Sequence, residues 1–403
     1  MRRLIEAVTV VDGSGAAPLQ RMDVAIDGDR IAAVVPTGAS IAGFDGLPSG
    51  AERIDGRGRT LLPGLIDAHA HYTFDPTEGS LQAIARRSDA TILAAAERHA
   101  ALALRAGTTT ARGAGSIRGL ELVLRDRIAA GLVPGPRLLA AGLAVGAPDG
   151  HGIAFGLGAA GAPAAAAATR RVIDQGADVV KVVASEAAML TTTGHAPGRM
   201  VFGRPELTLD ELVAIVEAAH AAGRGVMAHA QDTASVLLCV RAGVDSVEHA
   251  WLADRAAIEA VAAAGTTLVP TLGVTDVNRT LPGLAPVQRE RQDLIERLSR
   301  ASTEAAIELG VPIATGTDTG EVGVTADLVW REIALLVDHG ASPIAAIRAA
   351  TGAAARLLGV EDELGTIRPG LRADLVLVDG NPLADLALLG RPSMILQGGA
   401  RVG

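Results

Sequence analysis

Two histidines separated by one residue, His69 and His71, close the apolar run Leu65-Ile66-Asp67-Ala68-His69-Ala70-His71. Alternate residues of a strand share a face, so both imidazoles can point at one cation. His229 closes Gly225-Val226-Met227-Ala228-His229, and His249 closes Ser246-Val247-Glu248-His249. Taken alone, each reads more readily as a hydrogen-bonded core or rim histidine than as a ligand. Asp318, in Ala314-Thr315-Gly316-Thr317-Asp318-Thr319, would alone pass for a turn or helix cap. Lys181 is different in kind. It is the one lysine beside 35 arginines, and it lies inside the apolar run Asp178-Val179-Val180-Lys181-Val182-Val183. A charged amine there is costly, and burial lowers its pKa toward the neutral form. A neutral amine reacts with carbon dioxide to give a carbamate, an anionic two-oxygen ligand able to bridge two metal ions. Arginine, always charged, has no such option.

These side chains must be delivered to one place by the elements that carry them. Eight apolar runs of strand length occur at 61–71, 108–113, 137–141, 179–185, 225–230, 246–250, 266–271 and 313–319. Helix-length amphipathic stretches such as 209–222 and 325–339 lie between or beside them, the pattern of a parallel sheet covered by helices. The arrangement predicts an α/β protein with a (β/α)₈ barrel over residues 58–360. Strand ends one, five, six and eight then bring metal-competent side chains to the same end of the barrel. The longest loop candidates follow the first, third, fourth and seventh strands, among them the polar stretch 273–289. Short alternating strands at 4–11, 22–26, 30–35 and 373–378 predict a small β-sandwich built from residues 1–57 plus 361–403.

Composition narrows the setting. The chain has 403 residues, 49% hydrophobic and 20% charged, values of a folded protein and not of a disordered one. With aromatics at 2%, the core must be aliphatic. A net charge of -9 gives no diffuse basic field to attract nucleic acid or an anionic membrane. No apolar run is long enough to span a bilayer. The lone Cys239 cannot form an internal disulfide, and the amino terminus opens directly on a strand pattern, so the expected location is cytoplasmic. Cys239 reads as a small apolar helix residue. Of the other histidines, His220 and His339 precede Gly223 and Gly340 at predicted helix ends, where they can meet free carbonyls. His99 reads as a helix surface residue, and His195 as solvent-facing in the loop after the fourth strand.

Taken with the flanking β segments and the closing run Gly365-Thr366-Ile367-Arg368-Pro369-Gly370-Leu371-Arg372-Ala373-Asp374-Leu375-Val376, these residues resemble the amidohydrolase superfamily of metal-dependent hydrolases over nearly the whole chain. The sequence looks most like its imidazolonepropionase-like and prolidase-like branch. That resemblance implies one ion held by His69, His71 and Asp318, a second by His229 and His249, and N6-carboxylysine at Lys181 between them. Zinc is the expected metal. It also implies a histidine near the substrate carbonyl after the third strand, a place filled by His151 in Pro148-Asp149-Gly150-His151-Gly152. One departure concerns substrate: relatives that cleave dipeptides commonly follow the lysine with a glycine-rich turn, whereas this chain has Val182-Val183-Ala184-Ser185-Glu186-Ala187-Ala188-Met189. Tyr72, the only tyrosine, follows His71 and reads either as a substrate hydrogen-bond donor or as a rim residue sealing the barrel.

Two ions sharing a water lower its pKa from 15.7 to about 7, making hydroxide available at neutral pH. Asp318 would take the proton during attack on a carbonyl and return it to the leaving nitrogen, and His151 would help polarise that carbonyl. The expected reaction is hydrolysis of an amide in a dipeptide, Xaa-Pro or similar, or in an N-acyl amino acid. Arg199, Arg204 and Arg279 are candidates for binding a substrate carboxylate. The partner is then a small-molecule amide, with homo-oligomerisation expected. Cyclic amide, lactone or phosphotriester hydrolysis and mononuclear deamination use the same kind of site, and a metal-free scaffold barrel is the non-enzyme alternative.

Overall fold

The computed structural model describes residues 1–44, 51–78, 80–187 and 204–403 and shows a mixed α/β protein. His195 and Arg199 lie outside the described residues. The chain divides into two compact units: Met1–Asp67 with Ala101–Thr110 and Asp327–Gly403, and Ala68–Ala100 with Ala111–Ala326.

In the first unit, the two ends of the chain build one eight-stranded sheet. Its order is Ala400–Arg401, Met394–Gln397, Leu375–Asp379, Arg59–Pro63, Arg2–Val10, Leu19–Asp27 and Arg30–Pro36, with Glu52–Asp55 also pairing to Arg2–Val10. Period-two alternation puts Ile5, Val24, Ile26, Leu61, Leu375 and Leu377 in a buried aliphatic cluster. Register is offset in the first hairpin, where Ala7 takes φ 54° and its amide donates to Asp23 Oδ1 at 2.8 Å. The predicted first run, 61–71, is two strands, Arg59–Pro63 and Leu65–Ala70, separated at Gly64. No side chain fits at that glycine, because a Cβ there would lie 2.0 Å from Thr109 Oγ1.

The second unit holds a parallel sheet ordered Gly156–Gly158, Ala144–Gly146, Val180–Val183, Val226–Asp232, Ser246–Leu252 and Thr267–Val269. Lys181 pairs with Met227 and Met227 with Ser246, while Val183 pairs with His229 and His229 with Glu248. One face of the sheet therefore carries Lys181, His229 and Glu248. The other carries Val180, Val182, Val226, Ala228 and Val247, buried in an aliphatic cluster with Leu212, Ile215 and Val216 of helix Leu209–Ala221 and with Ile258 and Val261 of helix Arg255–Ala264. Helix Leu209–Ala221 starts on a Thr208–Glu211 capping box, and Thr233–Ala242 and Arg255–Ala264 stop at Gly243 and Gly265 in left-handed conformation.

Strands Leu65–Ala70, Thr108–Gly113 and Arg137–Ala140 form a separate three-stranded sheet. Beyond the terminal sheet, the described strands thus fall into two sheets instead of one closed ladder. The predicted eighth run, 313–319, is an irregular segment with isolated bridges from Ile313 to Leu268 and from Thr319 to Ala70. Its hydrogen bonds still reach both neighbours: Ala314 N donates to Leu268 O, and Ala68 N to Thr315 O. Regular pairing fails where Gly316 is pressed against His69 and Val269, with room for no Cβ, and where Asp318 turns to φ 56°. The stretch 273–289, expected as a loop, begins with helix Leu272–Thr280, whose Leu272, Val274 and Thr275 are buried. Among the described residues, no helix is long and apolar enough to cross a membrane.

Candidate metal centre

The sheet register explains one half of the site and backbone strain the other. His229, opposite Glu248, inherits the face of Lys181 from simple alternation. His249 has the wrong parity, since Glu248 already occupies that face. It is brought round by a left-handed turn, φ 72° at His249 and 51° at Ala250. Asp318 and Thr271 are left-handed too, at φ 56° and 48°. Four non-glycine residues in that sparsely populated region at adjoining strand ends mark strain that the surrounding packing must hold, a feature concentrated at functional sites.

His69 Nε2 and His71 Nε2 each lie 3.3 Å from Asp318 Oδ1, and Lys181 Nζ lies 3.4 Å from His69 Nε2. His249 Nδ1 is 3.9 Å from Asp318 Oδ2. Ring centroids are 5.0 Å apart for His69 and His249, 4.7 Å for His249 and His229, and 5.2 Å for His229 and His151. Apart from Tyr72, the predicted metal and catalytic residues are therefore neighbours in one cluster, buried but for the half-buried His151. Tyr72 is fully buried and does not line the adjoining cavity; its carbonyl faces His99 Nδ1 at 3.0 Å. His99 is accordingly half-buried and not a surface residue.

Behind the imidazoles stand residues that no motif announces. His69 Nδ1 donates to Glu248 Oε2 at 2.6 Å. Arg112 Nη2 donates to Glu248 Oε1 at 3.0 Å, its Nη1 to Ser246 Oγ at 3.1 Å and its Nε to Ala68 O at 2.7 Å. His71 Nδ1 donates to Gly115 O at 2.8 Å, and its ring stacks on Phe74 at 4.3 Å between centroids. His249 Nδ1 bonds to Thr271 Oγ1 at 2.8 Å. Partners of this kind fix the tautomer and the direction of a ligand imidazole. Glu248 escaped notice as the residue before a histidine and Arg112 as one arginine among many. A charged residue inside an apolar run, the argument that singled out Lys181, applies to both.

Electrostatics prepare these groups as ligands. Burial lowers the His71 imidazole to about 3, against the opposing pull of Asp318, and drives His229 and His249 well below their ordinary value. Burial also brings Lys181 down to about 8 although Glu248 and Asp318 favour its charged form. The Asp318 carboxyl, which burial alone would raise, is held well below the usual range by His69 and, behind it, His249 and His71. Burial would likewise raise Glu248, but Arg112 and His69 hold it at about 2. Neutral imidazoles, an ionised carboxylate and a poised amine are the donors a divalent cation takes. The donor atoms of His69, His71 and Asp318 all lie within 4.8 Å of one another. His229 Nε2 is buried without a hydrogen-bond partner, a cost that a bound cation would remove. The residues fit a metal.

The cluster opens on a cavity of about 410 Å³ lined by His71, His151, Lys181, His229, His249 and Asp318 on one side. Phe74, Phe155, Trp251, Leu281, Pro282 and Leu284 supply apolar wall, and Gln231, Asn278, Gln288 and Glu321 the remaining polar groups. Burial, then the charge of Asp318, raises the Glu321 carboxyl to about 8. His151, lowered to about 4 by burial, sits at the start of the turn His151–Phe155 with its backbone N–H on Glu206. Arg204 and Arg279 do not line the cavity; they pair with Glu186 and Asp276. His220 bonds to Asp245 instead of a helix carbonyl, whereas His339 meets Leu335 O. Cys239 is buried in helix Thr233–Ala242.

Residues 60–398 match the amidohydrolase family. The chain belongs to that family. It is 30% identical over 371 residues to the ochratoxinase of Aspergillus niger, covering 83% of this chain and 73% of that one. It is 29% identical over 426 residues to the imidazolonepropionase of Rubrobacter xylanophilus, covering 93% and 91%. Among solved structures, a Xaa-Pro dipeptidase with methionine bound in its active site superposes with a TM-score of 0.86 at 28% identity, covering 100% of this chain and 99% of that one. This amidohydrolase is thus a metal-dependent hydrolase, with fold neighbours of the TIM-barrel type.

Proposed function

We propose that this amidohydrolase holds two divalent ions, zinc by preference, and cleaves the amide bond of a dipeptide or N-acyl amino acid bearing a large apolar group. In this reading the parallel strands are staves of a (β/α)₈ barrel and the terminal sheet is a β-sandwich. The observation that carries the reading is the position of Lys181, its amine 3.4 Å from His69 Nε2 beside the triad of His69, His71 and Asp318, at the edge of an apolar-walled cavity. His69, His71 and Asp318 would hold one ion, His229 and His249 the other, and a carbamate on Lys181 would lie between. Burial of Lys181 supports this, because it leaves a share of the amine neutral near pH 7 and so able to form the N–C bond with carbon dioxide, losing a proton.

When bound, the ions supply Lewis acidity and make a water molecule acidic enough to ionise near neutral pH. Asp318, kept ionised by its imidazole neighbours, accepts the proton of the attacking water and delivers it to the leaving nitrogen. His151, neutral by burial, donates its one N–H to the carbonyl oxygen as negative charge grows there. Phe155, Leu281 and Leu284 shield this exchange from solvent and hold an apolar substituent, while Gln231, Asn278 and Gln288 offer uncharged hydrogen bonds to the peptide groups beside it.

Metal analysis combined with mass spectrometry of Lys181, followed by a screen of hydrophobic dipeptides, N-acyl amino acids, lactones and phosphotriesters, tests the reading. Two ions per chain, reconstitution that depends on bicarbonate and a preference for hydrophobic amides are expected. One ion per chain with activity indifferent to bicarbonate would overturn it in favour of a mononuclear deaminase.

A further inference from the structure

We infer that Glu121 is the positioning residue of His71: its buried carboxyl holds Gly142, whose carbonyl accepts the Ser116 amide of the peptide that presents the Gly115 carbonyl to that imidazole. The inference rests on His71 being a ligand, as proposed above.

Glu121 lies in the first turn of helix Leu120–Ala129 and is fully buried. Its Oε1 accepts the Gly142 amide at 2.7 Å, and the nearby amides of Ala141 and Gly115 favour its charged form. Ser116 closes the same knot: its Oγ donates to Gly142 O at 3.1 Å and accepts the Glu121 amide at 3.1 Å. One side chain therefore ties together two loops, those that follow strands Thr108–Gly113 and Arg137–Ala140. Between them runs the Gly115–Ser116 peptide, with its Ser116 amide on Gly142 O at 2.8 Å and its Gly115 carbonyl on His71 Nδ1 at 2.8 Å.

Nothing intrinsic keeps the Gly115 peptide in that orientation. Gly115 has φ 108°, and Phe155 would lie 3.1 Å from any Cβ placed there, so the position admits only the residue with the greatest backbone freedom. Such a peptide is held from outside or it rotates. Glu121 also carries a cost that packing alone does not explain, since its Oε2 is buried with no hydrogen-bond partner, pressed against Gly113. An apolar side chain would fill this space without that cost but would accept no amide. Retaining a carboxyl makes sense where its amide contacts are used. With the Gly115 carbonyl fixed, the His71 proton stays on Nδ1, and the Nε2 lone pair faces Asp318 Oδ1 at 3.3 Å.

Glu121→Leu and Glu121→Gln, compared in the full chain before and after removal of metal, test this. Zn²⁺ affinity is measured by competition with a chromophoric chelator, and the His71 Nδ1–H proton by NMR of the metal-free chain. Glu121→Leu should weaken Zn²⁺ binding about 10–100-fold and broaden or shift the Nδ1–H signal. Glu121→Gln keeps one acceptor oxygen and should recover most of both. Wild-type affinity in Glu121→Leu overturns the inference, as does equal weakening in both variants with the His71 signal unchanged. Should Glu121→Leu fail to fold, Ser116→Ala loosens the same peptide and must weaken Zn²⁺ binding severalfold; unchanged affinity there is equally fatal. His71→Ala separates this from the underlying reading: if it binds Zn²⁺ as the wild type does, His71 is not a ligand at all.

Discussion

His69 and His71 are backed by protein on their far side, whereas His229 and His151 face the cavity with far less behind them. Glu248, itself held by Arg112 and Ser246, accepts from His69, and Gly115 accepts from His71. By contrast His229 Nε2 is buried without a partner, and His151 is placed through its backbone N–H on Glu206. The difference teaches which part of the site exists before anything binds. The first pair is preorganised, its imidazole directions fixed by acceptors that a metal does not touch. The second pair is completed by what it binds, and it lines the wall that a substrate meets.

Lys181 lies where the two halves meet, so Lys181→Arg is the severest way to break the comparison. Guanidinium cannot form a carbamate and stays charged, placing a cation beside the imidazoles. Loss of one ion and a fall in kcat/KM of about 10³-fold or more, or about 4 kcal/mol of transition-state stabilisation, is expected with the circular dichroism of the wild type. An active variant that retains two ions would show that the halves do not share this ligand.

Acid should act on the cluster in two stages. In the metal-free chain His71 stays neutral down to about 3 and His151 to about 4, and His229 and His249 are lowered as well, all by burial. The unfolded chain protonates these imidazoles near pH 6.5, so it binds more protons than the folded chain below that point, and stability falls as pH falls. The slope approaches about 1.4 kcal/mol per pH unit for each imidazole. Glu248 adds a second stage: despite burial, Arg112 and His69 hold it at about 2, so its contribution is complete above about 4.5 and is lost between there and 2. Denaturant titrations from pH 7.5 to 3 should show both stages, with Glu248→Gln reducing the lower one, to which the depressed Asp318 carboxyl also contributes. Glu121 and Glu321, raised to about 8 chiefly by burial, oppose the imidazoles between about pH 8 and 4.5, so stability that rises from pH 6.5 to 5 would mean that the imidazoles are already solvated.

The cluster was legible because strand alternation and strand ends are one-dimensional facts. His69, Lys181 and His229 follow from period two within apolar runs, and the lone lysine was marked by composition. Asp318 and His249 were legible as residues but not as geometry, since what aims them is a left-handed backbone with no glycine to announce it. The partners Glu248, Arg112 and Glu121 act between segments far apart in the chain, where spacing carries no information. Similarly, the run 313–319 has the composition of a strand, yet Gly316 against His69 and the turn at Asp318 leave only isolated bridges. The helix Leu272–Thr280 was hidden by polar residues such as Asn278, which faces the cavity where a surface helix would present it to solvent.

That helix and the chain after it lead to the mildest test, directed at the cavity wall and sparing both halves of the metal cluster. Leu284 is half-buried, lines the cavity and follows Pro282 in the connection between helices Leu272–Thr280 and Pro286–Glu308. Under the proposed function it would meet a part of the substrate that does not react, so its contribution would be the same in the bound and transition states, and its loss should raise KM without lowering kcat. Partial exposure keeps the loss near the low end for an apolar contact, about 1 kcal/mol, or roughly fivefold. Leu284→Ala should therefore raise KM about fivefold for amides with a bulky apolar substituent and leave small acyl analogues unaffected. A fall in kcat at constant KM would instead place this wall against the reacting bond, and the division between a metal-holding side and a substrate-sorting side would have to be redrawn.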